Sequence, residues 1–358
     1  MDLDTLSNLT DPVILFFVLG LLAGAVRSNL EVPPAVTKFL ALYLLMSIGF
    51  KGGQALAETG LTGTGVTVMG LAVLIAVAIP LLGYRVLCRR VSAFDAAAIA
   101  ATYGSVSAVT FVAASQYVAS RGHEAGGHMT VALVMMETPA VIMAVLLATW
   151  VRSRRRVAAP VPSHAGTPAA GGDALPAAGT TRGADTPAGE ASHALPTGVS
   201  GVLRSAFTEG TFLLLTGSLV IGAASGATDG ETMAPLLEDL FKGLLAFFLL
   251  DMGLVVARQI REVRGIPLFL VGFAVMMPLL GATLALILGT IAGLSVGDLT
   301  LLTVLAASGS YIVVPAEARH AIPEALPSRY LTMSLGLTFP FNIVVGIPLY
   351  HAIAGMLA

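Results

Sequence analysis

Small polar residues interrupt two otherwise apolar segments of this sequence, and they are the residues best suited to chemistry. The first segment reads AIAATYGSVSAVTFVAAS and places near its centre Thr102, Gly104, Ser105, Ser107 and Thr110. The second segment reads LAASGSYIVVPAEAR and places ahead of Pro315 the residues Ser308, Gly309 and Ser310. Glycine tolerates non-helical backbone angles and proline removes an amide donor, so a helix formed by either segment is predicted to break there.

A broken helix could bind small ions. Each break leaves a half-helix whose N-terminus carries unpaired amides and about half a positive charge, which favours a small anion. The carbonyls of the unwound stretch and the nearby Ser and Thr hydroxyls are oxygen ligands that suit a sodium ion. An anion and a cation bound side by side lower each other's electrostatic cost, which gives a physical basis for symport. Small residues are also typical of close helix packing in membranes, so packing alone is the competing interpretation.

The two segments belong to two halves of the chain that carry the same landmarks in the same order. VLGLLAGA at 18–25 is followed about 200 residues later by VIGAASGA at 220–227, and PLLG at 80–83 recurs at 278–281. This spacing predicts duplication of a five-helix unit, and an odd number of spans inverts the second copy. We therefore predict an all-α polytopic membrane protein with ten transmembrane helices in a 5+5 inverted repeat. Its two broken helices would cross near the middle of the membrane.

Composition and hydropathy agree with that fold class. Of the 358 residues, 56% are apolar and 11% are charged, whereas a soluble domain has about 25% charged residues. Hydropathy predicts helices at 12–27, 35–57, 65–87, 94–119, 129–151, 211–227, 233–257, 266–292, 298–318 and 329–356. The predicted domains are a first repeat over 1–152, a disordered linker rich in Ala, Gly, Pro and Thr over 153–204, and an inverted second repeat over 205–358.

The distribution of basic residues predicts the orientation. Sixteen of the 19 lysines and arginines fall on the side that holds the linker. By the positive-inside rule, the linker is cytoplasmic and both termini are external. The single cysteine, Cys88, provides neither a disulfide framework nor a metal cluster. The net charge of -2 says nothing about partners, because in a membrane protein the positions of the charges matter. No nucleic-acid partner is expected.

Three ionisable residues, Lys51, Glu137 and Asp251, lie within predicted spans. A charge at the centre of a bilayer costs at least about 2.5–3.5 kcal/mol on insertion scales, so such residues normally face the protein interior and have a task. For Glu137 and Asp251 three roles remain open: sodium coordination or support of the broken helices, a structural ion pair with Lys51 or an arginine, and proton coupling. Lys51 is predicted to be structural because its long stem could reach the outer interface.

Five segments resemble, in order, the sodium-dependent bicarbonate transporter family, which is best known from cyanobacteria. They are LLMSIGFKGGQAL, YGSVSAVTFVAA, FLLDMGLVVARQ, ASGSYIVVPAEAR and SLGLTFPFNIVVGIPLY. The resemblance implies a homotrimer in the bacterial inner (plasma) membrane, with a gate domain and a core domain whose crossing helices hold bicarbonate and a sodium ion. The family's cytoplasmic regulator is a small trimeric nucleotide-binding protein of the PII type, which the resemblance adds as a candidate partner.

The resemblance also assigns site residues. Carried over by motif, the substrate positions are Gly104, Ser105, Val106, Ser107, Gly309, Ser310 and Tyr311. The predicted sodium ligands are Thr102, Thr110, Ser308, Asp251 and Glu137. Tyr311 occupies the place of an aspartate in the cyanobacterial motif SSSDISGPP, so Asp251 and Glu137 are the carboxylates that could supply the missing anionic oxygen.

The predicted function is sodium-coupled uptake of bicarbonate or a similar small monoanion by alternating access, and not catalysis. The alternative within transport is a cation/proton antiporter or an organic-anion symporter of the same crossing-helix architecture. An intramembrane hydrolase with Ser105 or Ser107 as nucleophile is disfavoured because no histidine lies inside a span near either serine. A purely structural or receptor role is disfavoured by the duplicated polar interruptions.

Overall fold

The computed structural model describes residues 12–60, 62–158, 208, 210–234, 237 and 240–358. Within these ranges the regular structure is helical throughout, without a β-strand. The predicted all-α class is therefore confirmed. The predicted linker over 153–204 lies outside the described residues apart from its start, where the preceding helix continues to Ala158.

The helices are numbered here in chain order over the described ranges. They are α1 (Pro12–Ala25), α2 (Pro34–Thr59), α3 (Gly63–Leu87), α4 (Ala93–Gly104), α5 (Ala108–Ser120), α6 (His128–Ala158), α7 (Gly210–Ala234), α8 (Leu240–Ile260), α9 (Leu268–Ile291), α10 (Val296–Ala307), α11 (Val313–Ala321) and α12 (Pro327–Leu357). A 3-10 turn, Arg261–Gly265, follows α8. Helix α12 contains two π-helical turns, Thr332–Thr338 and Asn342–Gly346.

Several of these helices are long and apolar enough to cross a membrane. In the described part of the chain there are 7 such stretches, namely α2, α3, α4 with α5, α6, α8, α9 and α12. Shorter apolar helices are α1, the Gly210–Ser225 part of α7, and α10. Their length and composition identify a multi-pass membrane protein.

Both predicted helix interruptions are present. The segment predicted at 94–119 consists of α4 and α5, which are separated after Gly104 and resume at Ala108. The segment predicted at 298–318 consists of α10 and α11, which are separated after Ala307 and resume at Val313. The polar residues that interrupt the apolar pattern therefore mark the places where the helices lose their regular winding.

Glycines allow two pairs of helices to pack backbone against backbone. A Cβ at Gly20 of α1 would lie 2.0 Å from the Leu250 carbonyl oxygen of α8, and a Cβ at Gly222 of α7 would lie 2.1 Å from the Phe50 carbonyl oxygen of α2. Small residues permit such close approach in membranes. We call α1, α2, α7 and α8 the four-helix group, and the remaining helices the broken-helix group.

The repeated PLLG motif packs against the broken helices. A Cβ at Gly104, where α4 ends, would lie 2.0 Å from the Pro80 Cγ of α3. In the second half, a Cβ at Gly281 of α9 would lie 2.2 Å from the Ala306 carbonyl oxygen near the end of α10. Each copy of the motif therefore holds the first half of a broken helix close to its neighbouring long helix.

A pair of alanine substitutions in α7 tests the backbone contact in the four-helix group. Gly222→Ala places a methyl group against the Phe50 carbonyl and is expected to lower the free energy of unfolding by about 1–3 kcal/mol. Gly217→Ala is the matched control because a Cβ there meets no atom within 4 Å. It should leave stability unchanged or raise it by about 0.5–1 kcal/mol. Thermal unfolding in detergent measures both, and equal midpoints would contradict the contact.

Candidate functional site

The first break is an extended stretch between α4 and α5. Ser105, which follows the end of α4, has φ -93° and ψ 171°. Ser107 has φ -105° and ψ 107°, and its Oγ accepts a 3.2 Å hydrogen bond from the Thr110 amide. Ser107 is therefore the N-cap of α5, which explains why the helix resumes immediately after it.

The second break has the same form between α10 and α11. Ser308, which follows the end of α10, is extended with φ -89° and ψ 167°. Near the start of α11, the Val314 amide donates a 3.3 Å hydrogen bond to the Ser310 Oγ. In both breaks a serine side chain thus accepts from an amide in the first turn of the second half-helix.

The two breaks are hydrogen bonded to each other. The Ser107 amide donates to the Ser308 Oγ at 3.1 Å, and the Ser310 amide donates to the Thr102 carbonyl oxygen at 2.9 Å. Backbone groups that leave a helix in an apolar environment need partners other than lipid. Each break supplies such partners to the other, so the two unwound stretches form one structural unit.

Helix α12 supplies a third set of partners that sequence reasoning missed. The buried Asn342 side chain donates from Nδ2 to the Ala307 carbonyl oxygen at 2.8 Å and accepts from the Tyr350 hydroxyl at 3.1 Å. The Thr338 Oγ1 lies 2.6 Å from the Tyr103 hydroxyl oxygen. Polar residues one helical turn apart in the apolar segment SLGLTFPFN were the available signal.

A small pocket lies beside the two breaks, and we call it the break pocket. Both half-helices α5 and α11 begin at its wall. The break residues that line it are Val106, Ser107, Ala108, Val109, Ser310, Tyr311, Ile312 and Val313. Other helices contribute Ala41, Leu44, Leu45, Val112, Glu137, Thr211 and Phe248. The pocket therefore lies between the broken helices and residues of α2, α6, α7 and α8.

The electrostatics of the break pocket suit a pair of opposite charges. The N-termini of α5 and α11 both reach it, and each carries about half a positive charge from its helix dipole. Glu137 of α6, a residue that is only 8% exposed, also lines the pocket. Amide donors for an anion and an acidic oxygen for a cation are thus gathered in one small cavity.

The structure brings only some of the predicted site residues to this pocket. Those that line it are Val106, Ser107, Ser310, Tyr311 and Glu137. Gly104 instead packs against Pro80, and a Cβ at Gly309 would lie 3.6 Å from the Ser334 Cβ. These glycines allow close packing behind the pocket and do not face it.

The predicted hydroxyl ligands of sodium make hydrogen bonds within the protein. Thr102 Oγ1 donates to the Ala98 carbonyl oxygen at 2.9 Å. Thr110 Oγ1 donates to the Ser107 Oγ at 2.8 Å. Ser308 Oγ donates to the Leu305 carbonyl oxygen at 2.8 Å. Their oxygens keep lone pairs, but none of the three lines the break pocket.

Two buried hydroxyls beside the breaks have no hydrogen-bond partner of normal geometry among the described residues. They are the Ser105 Oγ and the Tyr311 hydroxyl, which is directed toward Ser107. The Tyr311 ring packs edge-on against Phe339 with centroids 5.3 Å apart. Buried polar atoms normally have a partner, so the Ser105 Oγ is available to a bound ion or to water.

Asp251 lies elsewhere. Its carboxylate accepts a 2.5 Å hydrogen bond from the Thr37 hydroxyl of α2, and it is not among the residues that line the break pocket. Of the two predicted carboxylates, the structure brings Glu137 to the pocket and leaves Asp251 inside the four-helix group. Within the described residues there is no group of three or more His, Cys, Asp or Glu side chains that could hold a metal ion.

A larger open cleft of about 1850 Å³ lies on the side away from the predicted linker. Lys51 and Lys242 line it, and the Lys51 ammonium lies 5.7 Å from the centre of the Phe241 ring. Ile48 lines the cleft, whereas Leu45, one helical turn earlier in α2, lines the break pocket. About one turn of apolar side chains therefore separates the cleft from the pocket.

Comparison with known families gives one match. A family model described as the Na⁺-dependent bicarbonate transporter superfamily matches residues 12–355. This range contains both breaks, the break pocket and the cleft, and the match confirms the resemblance inferred from the five motifs. A search of curated proteins found no match to the chain.

Substitution of Ser308 tests the bonding between the breaks. Ser308→Ala leaves the buried Ser107 amide without its acceptor, so we expect a loss of about 1–3 kcal/mol in the free energy of unfolding. Thr303→Val is the control on the same helix, because Thr303 is also buried but its hydroxyl donates only to the Leu299 carbonyl within α10. Thr303→Val should lower the free energy of unfolding by less than Ser308→Ala does, and thermal unfolding measures both. Equal costs would show that the contact between the breaks is unimportant.

Proposed function

Because the chain belongs to the Na⁺-dependent bicarbonate transporter superfamily, we propose that it imports bicarbonate or a similar small monoanion together with sodium. Family membership supports a transporter. The observation that carries the finer proposal is the break pocket, where two half-helices begin opposite a buried carboxyl group. The two unwound stretches and Glu137 are the parts that a coupled anion and cation would need.

In this proposal the anion binds at the N-termini of α5 and α11. The residues there that line the pocket include Ala108, Val109 and Val313, whose side chains are small or apolar and leave backbone amides as donors. Amides at a helix N-terminus favour negative charge. They select an ion by charge and size, which fits bicarbonate and ions of similar size.

Sodium would bind next to the anion with Glu137 as its carboxylate ligand. Glu137 is the predicted sodium ligand that lines the break pocket. Ser107 and Ser310, which also line it, carry hydroxyl and carbonyl oxygens of the kind that sodium binds. The roles of Thr102, Thr110 and Ser308 as direct ligands stay predictions. Asp251 is left out of the proposed site because of its contact with Thr37.

The packing supports a ten-span, 5+5 inverted repeat as the architecture. In such a repeat α1 corresponds to α7 and α2 corresponds to α8. The close contact between α1 and α8 would then be the symmetry equivalent of the close contact between α7 and α2. The two breaks and the two packed PLLG motifs are related in the same way. The ninth and tenth spans would be α10 with α11 and α12.

Alternating access would move the broken-helix group against the four-helix group. The open cleft lies between residues of both groups, and one turn of apolar side chains separates it from the pocket. We propose that this turn closes one access route while the other opens. In the bacterial inner membrane the basic face with the linker would be cytoplasmic, and the termini external. The homotrimer and the PII-like regulator stay predictions from the family resemblance.

A cation/proton antiporter is the second candidate, and Glu137 is the observation that favours it. A buried carboxyl group in a transport pocket can bind a proton in exchange for a cation. An antiporter would change the internal pH of vesicles on addition of sodium in the absence of bicarbonate. A symporter of anion and sodium needs both ions for net uptake of either.

Uptake in proteoliposomes separates these functions. Radiolabelled bicarbonate should accumulate under an inward sodium gradient and should not accumulate when potassium replaces sodium. A pH-sensitive dye inside the vesicles should stay constant when sodium is added without bicarbonate. Bicarbonate uptake that is equal in sodium and in potassium would refute sodium coupling. A dye response that needs no bicarbonate would favour the antiporter.

A pair of carboxyl-to-amide substitutions tests the cation site. Glu137→Gln removes the charge that the pocket offers to sodium, so we expect the sodium concentration for half-maximal uptake to rise at least about tenfold. Asp251→Asn is the control, because Asp251 is also buried but does not line the pocket. It should change that concentration by less than about twofold. A larger effect for Asp251→Asn than for Glu137→Gln would show that the assignment is wrong.

A further inference from the structure

Both broken helices start with the same capping motif, a serine followed three residues later by an aspartate. The Ser92 Oγ accepts a 3.1 Å hydrogen bond from the Asp95 amide at the start of α4. The Ser295 Oγ accepts a 3.2 Å hydrogen bond from the Asp298 amide at the start of α10. The serines therefore cap the helices, and the Ser92 hydroxyl also donates a 2.7 Å hydrogen bond to the Asp95 Oδ2. Both aspartate side chains also have partners outside the cap.

Asp95 reaches the segment that follows the other broken helix. Its Oδ1 accepts a 2.9 Å hydrogen bond from the Leu326 amide, and its Oδ2 accepts a 2.6 Å bond from the Arg329 guanidinium. Leu326 lies after the end of α11. The carboxylate, in a residue only 3% exposed, thus joins the start of the first broken helix to the start of α12, the helix that follows the second.

Asp298 makes the reciprocal contact at the opposite face. Its Oδ1 accepts a 2.8 Å hydrogen bond from the Gly126 amide, and its Oδ2 lies 3.3 Å from the His128 Nε2. Gly126 belongs to the segment that follows α5. A Cβ at the neighbouring Gly297 would lie 2.1 Å from the Glu124 carbonyl oxygen, so this segment also packs directly on the start of α10.

We propose that Asp95 and Asp298 are positioning residues that make the two broken helices move as one unit. Each carboxylate ties the start of one broken helix to the segment after the other, at opposite faces of the molecule. This inference rests on the proposed alternating access, because it concerns which parts stay together during that motion. Between these two ties, the breaks are hydrogen bonded directly to each other. The Ser107 amide donates to the Ser308 Oγ, and the Ser310 amide donates to the Thr102 carbonyl oxygen.

The end ties matter because the break pocket needs its two half-helices in fixed register. A shift of about 1 Å between the breaks would misplace the amides and oxygens that hold the ions. Carboxylate bonds to amides and to a guanidinium are among the stronger hydrogen bonds in proteins. The tie made by Asp95 is reinforced by Arg152 of α6, whose guanidinium donates two hydrogen bonds, of 2.7 and 2.9 Å, to the Glu324 carboxylate.

A covalent replacement of the Asp95 tie tests the proposal. In a Cys88→Ala background, Asp95→Cys with Leu326→Cys removes the carboxylate, and we expect uptake to fall at least about tenfold. Joining the two cysteines with a short bifunctional thiol reagent should restore at least about half of the starting uptake. Uptake that is not restored, or that falls further on cross-linking, would overturn the proposal, since these segments would then need to separate.

A second cysteine pair controls for the proposed function itself. Gln259 of the four-helix group donates from Nε2 to Thr332 Oγ1 of the broken-helix group at 2.7 Å. Cross-linking Gln259→Cys to Thr332→Cys should stop uptake, because the two groups must move apart. If this cross-link leaves uptake unchanged, the proposal of alternating access between the two groups is wrong. The proposal that Asp95 and Asp298 hold the broken helices together for that motion is then wrong too. If uptake stops here but is not restored by the Asp95 pair, only this inference fails.

Amide substitutions provide a readout that does not depend on cross-linking. Asp95→Asn and Asp298→Asn each keep an oxygen acceptor and lose the charge. We expect the maximal uptake rate to fall about fivefold while KM for bicarbonate stays within about twofold, because the pocket residues are unchanged. Glu31→Gln is the control, since Glu31 forms an exposed 3.7 Å ion pair with Arg258. A change in KM with an unchanged maximal rate would contradict a positioning role.

Discussion

The structure depends on one constraint, which is that a helix broken among apolar side chains must find new partners for its backbone. Here two breaks satisfy each other, through the bonds of the Ser107 amide with Ser308 and of the Ser310 amide with Thr102. A buried polar group without a partner costs about 1–3 kcal/mol. Loss of either break would leave a buried amide of the other without its acceptor, so the two breaks stabilise each other.

Helix α12 also supplies a partner to the breaks, from a stretch where its winding is irregular. Asn342 must reach the Ala307 carbonyl at the end of α10, and it lies in one of the two π-helical turns. A π-helical turn changes the direction in which side chains leave a helix and is frequent at functional sites. Asn342 thus holds the last carbonyl of α10, directly before the second break.

Sequence reasoning located the breaks but could not determine which side chains face them. Gly104, Ser105 and Ser107 could be identified because they interrupt an otherwise apolar segment near its centre. Glu137 and Asp251 could not be distinguished, since helices that are apolar on all sides carry no periodic signal for the direction of a carboxyl group. Asp95 and Asp298 are bonded to segments distant in the chain, and a capping motif predicts only the start of a helix.

The position of the Glu137 carboxylate has a consequence for coupling. Tyr311 stands where the cyanobacterial motif has an aspartate, and its ring is held against Phe339. The acidic group of the pocket therefore comes from Glu137 of α6, and not from the break itself. Under the proposed function, sodium would join α6 to the breaks, whereas the anion would contact only the half-helix N-termini. Loss of sodium would then remove one wall of the anion site, which makes anion binding depend on the cation.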